Sequence, residues 1–344
     1  MSRAFFMAFK VIAALLLSLV LWEVALRVFL LRPILYRDTA ALGQMPKPGS
    51  SALWTVEGRG VLHFNELGLR NPPIAPKRAG ETRIVAFGDS YTEAYQMPVE
   101  KTFPLRLQTL LRQEPAMFSV INAGHNGSAP AYFAALAPQY RRLLKPDWII
   151  VLVHDSDWKQ ALPRKPGVPS APRPSESRRH KIMLRLGLES LTITKYLTIR
   201  SSFARLARNA TPAAQAPDPN AARDENARGF AAMDESLGAL QKEFPRLVVV
   251  HIPSPSQKDA TFAPASVLER RLAGRCRAFG IPLILMRQPI LADYARTGWP
   301  PFGFANTLPW SGHPNAHGHD LIAQELVKFF SRPQTLPAPK STPE

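Results

Sequence analysis

The chain has 344 residues, and its 43 lysine and arginine residues against 26 aspartate and glutamate residues give a formal charge of +17. This length accommodates one large α/β domain or two small ones, and the positive charge suits nucleic acid, an anionic membrane surface or an acidic polymer. Nucleic acid is disfavoured, because the sequence has no zinc-finger spacing, no RNP-like strand and no aromatic platform among its basic residues. The single cysteine, Cys276, excludes an internal disulfide bond.

An apolar segment at the start of the chain predicts a membrane anchor. Residues 4–31 are apolar except for one serine and three charged residues, so the pattern reaches the roughly 20 residues that span a bilayer. The apolar core is followed by Trp22-Glu23-Val24, a poor cleavage site, which favours an uncleaved signal anchor over a cleaved signal peptide. Positive charges flank the segment on both sides and do not set its orientation. We therefore predict a transmembrane anchor over residues 1–32.

Composition divides the rest of the chain. Residues 33–80 are predicted to be a linker and lead-in, because prolines recur through them and break any helix. Residues 81–331 are predicted to form the main domain, and the Pro/Ser/Thr-rich residues 332–344 a disordered tail. Within the domain, residues 158–228 form a basic insertion flanked by proline-rich stretches. Three interpretations of this insertion are open: a solvent-exposed helical segment, a lid over a site, or a surface that binds anionic headgroups or glycans.

Strand-like and helix-like stretches alternate through the main domain. Five apolar, β-branched runs predict strands at residues 84–87, 118–121, 148–153, 247–252 and 281–286. Helix-like patterns occupy residues 102–112, 131–144, 265–279 and 316–330. Such alternation predicts an α/β fold with a parallel sheet of about five strands, covered by helices on both faces.

A candidate nucleophile lies where the first of these strands ends. The run Arg83–Phe87 stops at Gly88-Asp89-Ser90, which presents a hydroxyl at a predicted strand-to-helix turn. The N–H groups that begin a helix stabilise negative charge, so this position suits a nucleophile. A serine at such a turn also commonly caps the helix. Ser90 is therefore a candidate for either role.

A candidate base lies near the other end of the chain. His313 occupies a predicted loop just before the final helix, with Asn315 as the expected N-cap of that helix. Loops that follow parallel strands gather at one edge of the sheet, so Ser90 and His313 can meet there despite their separation in sequence. A serine and a histidine in contact would be a nucleophile and its general base.

These blocks resemble those of the SGNH (GDSL) hydrolase family. Gly88-Asp89-Ser90 matches the nucleophile block, Asn122–Gly127 resembles the second block, and His313-Pro314-Asn315 with Gly318-His319 resembles the last. The stretch Phe64–Arg70 and the apolar N-terminus resemble membrane-tethered bacterial members. The resemblance implies a flavodoxin-like three-layer α/β/α sandwich without a cofactor or metal. It also implies a single-pass protein of the bacterial inner membrane with a periplasmic catalytic domain.

The resemblance assigns further roles but has two departures. The backbone N–H of Gly127 is expected to bind the oxyanion, together with that of Ser90. The third family block usually supplies an asparagine for the oxyanion, and Ser156 stands in its place. An aspartate usually precedes the histidine by two or three residues, where this chain has tryptophan and Ser311. The groups left to orient His313 are Ser311, a backbone carbonyl or an aspartate, and the candidate support residues are Asp89, Asp155, Asp157 and Ser311.

The other histidines have less specific expectations. His125 lies in the predicted oxyanion loop, where it lines the pocket or is structural, and His154 is expected to pack at a strand end. His317 and His319 are expected to belong to the final helix. A metal site built from His154, His313 and the aspartates at positions 155 and 157 is conceivable, but no ligand spacing supports one.

The sequence therefore predicts a serine esterase. Ser90 would attack the carbonyl of an acyl or acetyl ester of a lipid or cell-envelope glycan, and His313 would take its proton. Ser90, Gly127 and Ser156 would hold the oxyanion. Two alternatives remain open: O-acyl transfer to an envelope polysaccharide, and a catalytically impaired binding or scaffold protein. The replaced asparagine and aspartate support the second alternative.

Overall fold

The structure, a computed structural model, describes residues 3–28, 34–112, 117–155, 157–158, 219–256, 260–262 and 267–332. Ser156, most of the predicted insertion and nearly all of the predicted tail lie outside the described residues. The predictions for these parts of the chain therefore stay predictions.

The first helix, α1, spans Arg3–Val28. Its segment Arg3–Ala25 has a mean hydropathy of 2.5 and is 0% buried within the protein. By length and composition this helix could cross a membrane, so it is a transmembrane candidate, as the sequence predicts.

The segment that follows α1 forms two antiparallel hairpins. Strands β1 to β4 are Tyr36–Thr39, Gly43–Pro46, Ser51–Trp54 and Gly60–His63, paired as β1–β2 and β3–β4. Leu42 and Met45 of the first hairpin are fully buried in the main core, and Leu62 of the second packs with Tyr95. Residues 36–63 thus form hairpins that pack onto the domain, and the division of the chain at residue 80 stays a prediction.

The remaining strands build the central sheet and one small hairpin. Strands β5 to β11 are Thr82–Phe87, Phe118–Asn122, Trp148–His154, Leu247–Ile252, Pro255–Ser256, Thr261–Phe262 and Leu283–Leu285. Strands β9 and β10 pair with each other, and the other five form a parallel sheet in the order β11-β8-β7-β5-β6. Numbered along the chain, the five sheet strands have the order 2-1-3-4-5, which is the flavodoxin-like arrangement. The predicted fold class is confirmed.

Helices cover the two faces of this sheet. Helices α2 to α9 are Ser90–Glu93, Phe103–Leu111, Pro130–Ala135, Ala137–Leu144, Pro219–Glu243, Val267–Phe279, Arg287–Thr297 and Ala316–Phe330. The predicted helix over residues 131–144 divides at Leu136 into α4 and α5, because Pro138 lies in the first turn of α5 and has no N–H to continue the preceding helix. Helix α6 begins within the predicted insertion and packs on the core.

Alternating side chains of each strand point to opposite faces of the sheet. In β5, Val85 and Phe87 pack with Tyr140 and the other residues of α4 to α7, whereas Ile84 packs with Phe103 and the residues of α3, α8 and α9. Burial of each such large side chain stabilises the fold by about 1.5–3 kcal/mol. The result is a three-layer α/β/α sandwich.

The order of the strands determines where a site can form. The chain runs from β5 to β6 on one side and then crosses back from β6 to β7 on the other side, so the carboxyl end of β5 lies at the reversal of strand order where ligands bind in such sheets. Ser90 follows β5 at this edge, Gly127 follows β6 and Asp155 follows β7. His313 reaches the same edge from the loop before α9.

Candidate active site

The turn after β5 exposes the Ser90 hydroxyl. Gly88 has a φ of +154°, and a Cβ there would lie 2.2 Å from Oγ1 of Thr92, so the chain can make this turn only with glycine. Asp89 is the N-cap of α2, since its Oδ1 accepts the Tyr91 N–H at 2.9 Å. The helix cap considered for Ser90 is therefore supplied by its neighbour. The half-buried Ser90 hydroxyl is left for other partners.

The structure brings Ser90 and His313 into contact. Oγ of Ser90 lies 2.9 Å from Nε2 of His313, which is hydrogen-bond distance between a nucleophile and its base. The loop carrying His313 ends at Asn315, whose Oδ1 accepts the N–H groups of His317 at 3.0 Å and Gly318 at 3.1 Å. Asn315 is thus the N-cap of α9, as predicted, and this cap fixes the end of the loop that carries the base.

Glu57, in the turn between β3 and β4, completes the arrangement. Its Oε2 lies 2.5 Å from Nδ1 of His313, and its Oε1 accepts the His313 backbone N–H at 2.8 Å. Oδ1 of Asn306 accepts the Gly58 N–H at 2.7 Å, which fastens the turn to the loop before α9. Since the carboxylate keeps a proton on Nδ1, Nε2 presents its lone pair to the hydroxyl of Ser90.

Contact with His313 also keeps Glu57 ionised. Burial raises the pKa of Glu57, but the hydrogen bonds from the His313 ring and backbone lower it by more, so its pKa lies below the usual value. The side chain of Glu57 is 13% exposed and that of His313 25%. A charged carboxylate in this setting stabilises the imidazolium that forms when the base takes a proton.

Three support residues predicted from sequence have other partners. Oδ1 of Asp155 lies 3.0 Å from Nε2 of His251, and its Oδ2 accepts the Ser254 N–H at 2.7 Å. Asp157 accepts the backbone N–H of His154 at 2.9 Å, and Ser311 donates to a backbone carbonyl in its own loop. Nδ1 of His313 is bonded to Glu57, and the support roles of these three residues stay predictions.

Glu57 was missed because no local pattern marks it. It lies 256 residues before His313, in a segment whose composition indicates only a turn. Trp310, near the position where the resemblance expects an aspartate, is instead 2% exposed in an aromatic cluster with Phe262, Tyr294 and Phe302. The acid therefore reaches the base from outside the central sheet.

The second motif block is held against α2. The Asn122 side chain donates to the Thr92 carbonyl at 2.8 Å and accepts the Gly124 N–H at 3.0 Å. The Asn126 N–H donates to Oε2 of Glu93 at 2.7 Å, and Gly127 follows with a φ of +71°. These bonds fix the loop that carries the predicted oxyanion donor. The oxyanion roles of Ser90, Gly127 and Ser156 stay predictions.

Glu93 is a buried carboxyl group that sequence reasoning did not place in the site. Its Oε1 accepts the Tyr95 hydroxyl at 2.9 Å, and the buried Arg70 guanidinium donates to its backbone carbonyl at 2.8 Å. Burial raises the pKa of Glu93 to about 8, although the hydrogen bonds from Tyr95 and Asn126 and the charge of Arg70 act in the opposite direction. The residue ties α2 to the loop after β6.

A buried histidine with two carboxylates lies next to the turn that carries Ser90. Nε2 of His154 is 2.9 Å from Oδ2 of Asp89 and 3.0 Å from Oδ1 of Asp157. One ligand atom from each of the three residues could hold a metal ion, since these atoms lie within 4.8 Å of one another. This set differs from the metal set considered from sequence, because Asp89 joins it and neither Asp155 nor His313 belongs to it. His154 ends β7, as expected, but it also contacts the turn that carries the nucleophile.

The remaining histidines have structural contacts. Nε2 of His125 lies 3.0 Å from the Gln44 carbonyl oxygen, and its ring stacks on Tyr132. His317 and His319 belong to α9, as predicted. Nδ1 of His319 accepts the Phe103 N–H at 3.0 Å, and burial lowers the pKa of His319 to about 3.

The site thus contains a serine hydroxyl, a histidine ring and a glutamate carboxylate in hydrogen-bond order at the carboxyl edge of a doubly wound sheet. Serine hydrolases of unrelated folds share this order of groups, and its members are recognised by geometry and not by position in the sequence. The fold and the geometry of the site together define a candidate serine hydrolase.

Several known proteins that are similar to this chain are named as esterases or lipolytic proteins. An arylesterase of Vibrio mimicus is 30% identical over 91 residues, which cover 26% of this chain and 45% of that protein. The alignment thus spans less than half the length of this relative. No family model matches the chain.

Three solved structures align with most of the chain at low identity. A two-domain esterase active on acetylated mannans is 15% identical, with a TM-score of 0.42, over 77% of this chain and 55% of that one. A lipolytic protein of the G-D-S-L family from Veillonella parvula is 14% identical, with a TM-score of 0.39, over 73% of this chain and 99% of that one. An acetyl xylan esterase is 12% identical, with a TM-score of 0.42, over 72% of this chain and 99% of that one.

Proposed function

We propose that this protein is a serine esterase of the SGNH (GDSL) type. One observation carries the proposal: Ser90, His313 and Glu57 form an unbroken series of hydrogen-bonded pairs, with 2.9 Å between the first two and 2.5 Å between the last two. The similar arylesterase of Vibrio mimicus supports ester hydrolysis as the reaction class. Glu57 also supplies the acid whose absence favoured a catalytically impaired scaffold.

The proposed reaction uses Ser90 as the nucleophile. Its Oγ attacks the ester carbonyl while its proton passes to Nε2 of His313, and negative charge develops on the carbonyl oxygen, where the N–H groups of Ser90 and Gly127 would stabilise it. The intermediate then expels the alcohol, which takes the proton from His313, and an acyl group remains on Ser90. Water attacks this acyl-enzyme, gives its proton to His313 and releases the acid, and the proton returns to Ser90.

The proposed substrate is an acyl or acetyl ester of a lipid or a cell-envelope glycan. Helix α1 supports a location at a membrane, and only residues 29–35 separate it from β1. An extended chain covers at most about 3.5 Å per residue, so these seven residues keep the domain within roughly 25 Å of the end of the helix. We place the protein in a bacterial inner membrane with its catalytic domain on the periplasmic side.

Hydrolysis and nucleophile labelling test the proposal together. The full-length protein in detergent is expected to cleave p-nitrophenyl acetate or butyrate and to be labelled at Ser90 by a fluorophosphonate. Ser90→Ala should abolish both reactions, because no other group of the triad can form the acyl-enzyme. A folded wild-type protein that neither cleaves these esters nor takes the label would contradict the proposal. With an acetylated glycan as substrate, release of free acetate indicates hydrolysis, and transfer of labelled acetate to a second glycan indicates acyl transfer.

A further inference from the structure

The buried cluster of Asp89, His154 and Asp157 lies directly behind the serine, and the proposed mechanism does not use it. The three residues are 3%, 7% and 1% exposed. A buried carboxylate is costly unless it is paired and hydrogen-bonded. His154 supplies that partner to both carboxylates at once, because its Nε2 lies 2.9 Å from one and 3.0 Å from the other. The cluster therefore joins the end of β7 to the turn after β5.

Asp89 contacts the nucleophile turn through both carboxylate oxygens. Oδ1 accepts the N–H of Tyr91, and Oδ2 lies 3.4 Å from Oγ of Ser90. Oδ2 is thus a second acceptor for the serine hydroxyl, in competition with Nε2 of His313 at 2.9 Å. An ionised carboxylate oxygen without a donor would attract that hydroxyl strongly. The Nε2–H of His154 donates a hydrogen bond to this same oxygen. The oxygen is therefore a weaker acceptor for the Ser90 hydroxyl than it would be without His154.

The ring of His154 also supports the loop that carries the base. It stacks on Tyr91, with ring centroids 4.5 Å apart and planes 22° apart. The Tyr91 hydroxyl donates to the carbonyl of Gly312 at 3.0 Å, one residue before His313. A substitution at His154 can therefore displace both Ser90 and His313, which share the hydrogen bond along which the proton would move.

We propose that Asp89, His154 and Asp157 are positioning residues that keep the Ser90 hydroxyl directed at His313. This role rests on the proposed esterase function. Burial lowers the pKa of His154, but the charges of Asp157 and Asp89 raise it by more, to about 9, so the ring is a cation at neutral pH. Asp157 acts by holding His154.

Substitution of His154 by glutamine tests the role, because the amide nitrogen of glutamine can occupy the place of Nε2 without its charge. The full-length protein in detergent is compared with His154→Gln for kcat and KM on p-nitrophenyl acetate and for the rate of fluorophosphonate labelling at Ser90. Displacement of a reacting group by about 1 Å can cost about 100-fold in rate. We expect labelling and kcat to fall about 10- to 100-fold in the variant, with KM within about twofold.

His251→Gln is the matched control. His251 is a buried histidine on the neighbouring strand β8, paired with Asp155 at 3.0 Å and outside the cluster. This variant should label and turn over within about twofold of the wild type. If His154→Gln does not fold, Asp157→Asn replaces it, and the expected fall in kcat and labelling rate is about 3- to 10-fold because His154 keeps its contact with Asp89.

The outcomes separate this role from the proposed function. If the wild type is labelled and the folded His154→Gln protein is labelled equally fast, the positioning role is wrong and the esterase proposal stands. A loss of unfolding free energy with an unchanged labelling rate would show a structural role only. Inactivation by EDTA with recovery on addition of Zn²⁺ would assign the cluster to a metal ion and overturn the role. A wild type that is not labelled would remove both proposals.

Discussion

Glu57 and His313 are joined by two hydrogen bonds, although 256 residues separate them in the sequence. One bond holds the ring nitrogen and the other holds the backbone N–H of the same histidine, so both the side chain and the loop of the base are fixed. The acid comes from a hairpin turn in the segment before the central sheet. The competence of the site therefore depends on the packing of that hairpin.

Glu57→Gln should lower activity severely. The amide can present its NH₂ group to Nδ1 and leave the proton on Nε2, in which case the base can no longer accept the proton of Ser90. Loss of the correct tautomer in a comparable triad lowers kcat by about 10⁴. We expect kcat on p-nitrophenyl acetate to fall about 10³- to 10⁴-fold with little change in KM, measured by steady-state kinetics.

Glu66→Gln is the control for that substitution. Glu66 is an exposed glutamate of the same segment, and its carboxylate contacts only a backbone N–H within the described part of the chain, 3.4 Å away at Ile74. Its replacement should leave kcat within about twofold of the wild type. Equal activities of the two variants would refute the role of Glu57 as the orienting acid.

The pKa of Glu57 gives a pH dependence of stability with a defined sign. The folded-state pKa is below the ordinary value of 4.5, so below that value the unfolded chain binds the proton more readily than the native state. The stability that Glu57 contributes is therefore fully present above about pH 4.5 and is lost as the pH falls through the folded-state pKa. In urea unfolding, the wild-type and Glu57→Gln free energies should differ by a constant amount from pH 7 to about pH 5 and converge at lower pH. A difference that grows on acidification would contradict this linkage.

The sequence was sufficient for the sheet and for the reacting pair. Strand β8 and helix α9 have the predicted bounds, because a short continuous apolar run indicates a strand buried on both faces and apolar residues at a period of 3.6 indicate the buried face of a helix. The contact between Ser90 and His313 follows from topology, since loops after parallel strands meet at one edge. The meeting of Ser90 and His313 can thus be predicted from the order of strands and loops along the chain.

The position of Glu57 could not be predicted from strand order or periodicity. Its position depends on how the β3–β4 hairpin packs against the loop before α9, and a key contact is the bond between Gly58 and the side chain of Asn306. Such long-range packing leaves no periodic pattern in the sequence. The division of the predicted helix at Leu136 has a local cause: Pro138 has no N–H to donate to the preceding turn, although the helical pattern continues on both sides of it.

Gly124→Ala should disturb both stability and catalysis. A Cβ at Gly124 would lie 2.4 Å from the backbone nitrogen of Glu93 and 2.8 Å from the carbonyl carbon of Thr92. Neither atom can move without displacing α2 from the loop after β6. We expect a loss of about 1–3 kcal/mol in the free energy of unfolding, as for other overpacked sites, and a fall of about 100-fold in kcat.

Substitution of a second glycine by alanine should have the opposite effect on the unfolding free energy. Gly274 lies exposed in α7, and a Cβ there has no heavy atom within 4 Å. Alanine favours a helix by about 0.5–1 kcal/mol relative to glycine, so Gly274→Ala should raise the unfolding free energy by that amount and leave kcat unchanged. Urea denaturation of both variants measures the contrast. Equal stability of the two variants would show that the approach of Gly124 to α2 is looser than the structure indicates.

Removal of α1 should release an active domain from the membrane. The described part of this helix makes no buried contact over Arg3–Ala25, and the triad and both lead-in hairpins lie beyond it. A variant lacking residues 1–33 is therefore expected to keep its kcat on p-nitrophenyl acetate while it moves from the membrane pellet to the supernatant. The full-length protein should resist extraction with alkaline carbonate, because a spanning apolar helix of this length is held by the hydrocarbon core and not by surface charge. In spheroplasts, external protease should degrade the full-length domain if it faces the periplasm. Protection of the domain under those conditions would refute the proposed orientation, and extraction by carbonate would refute the anchor itself.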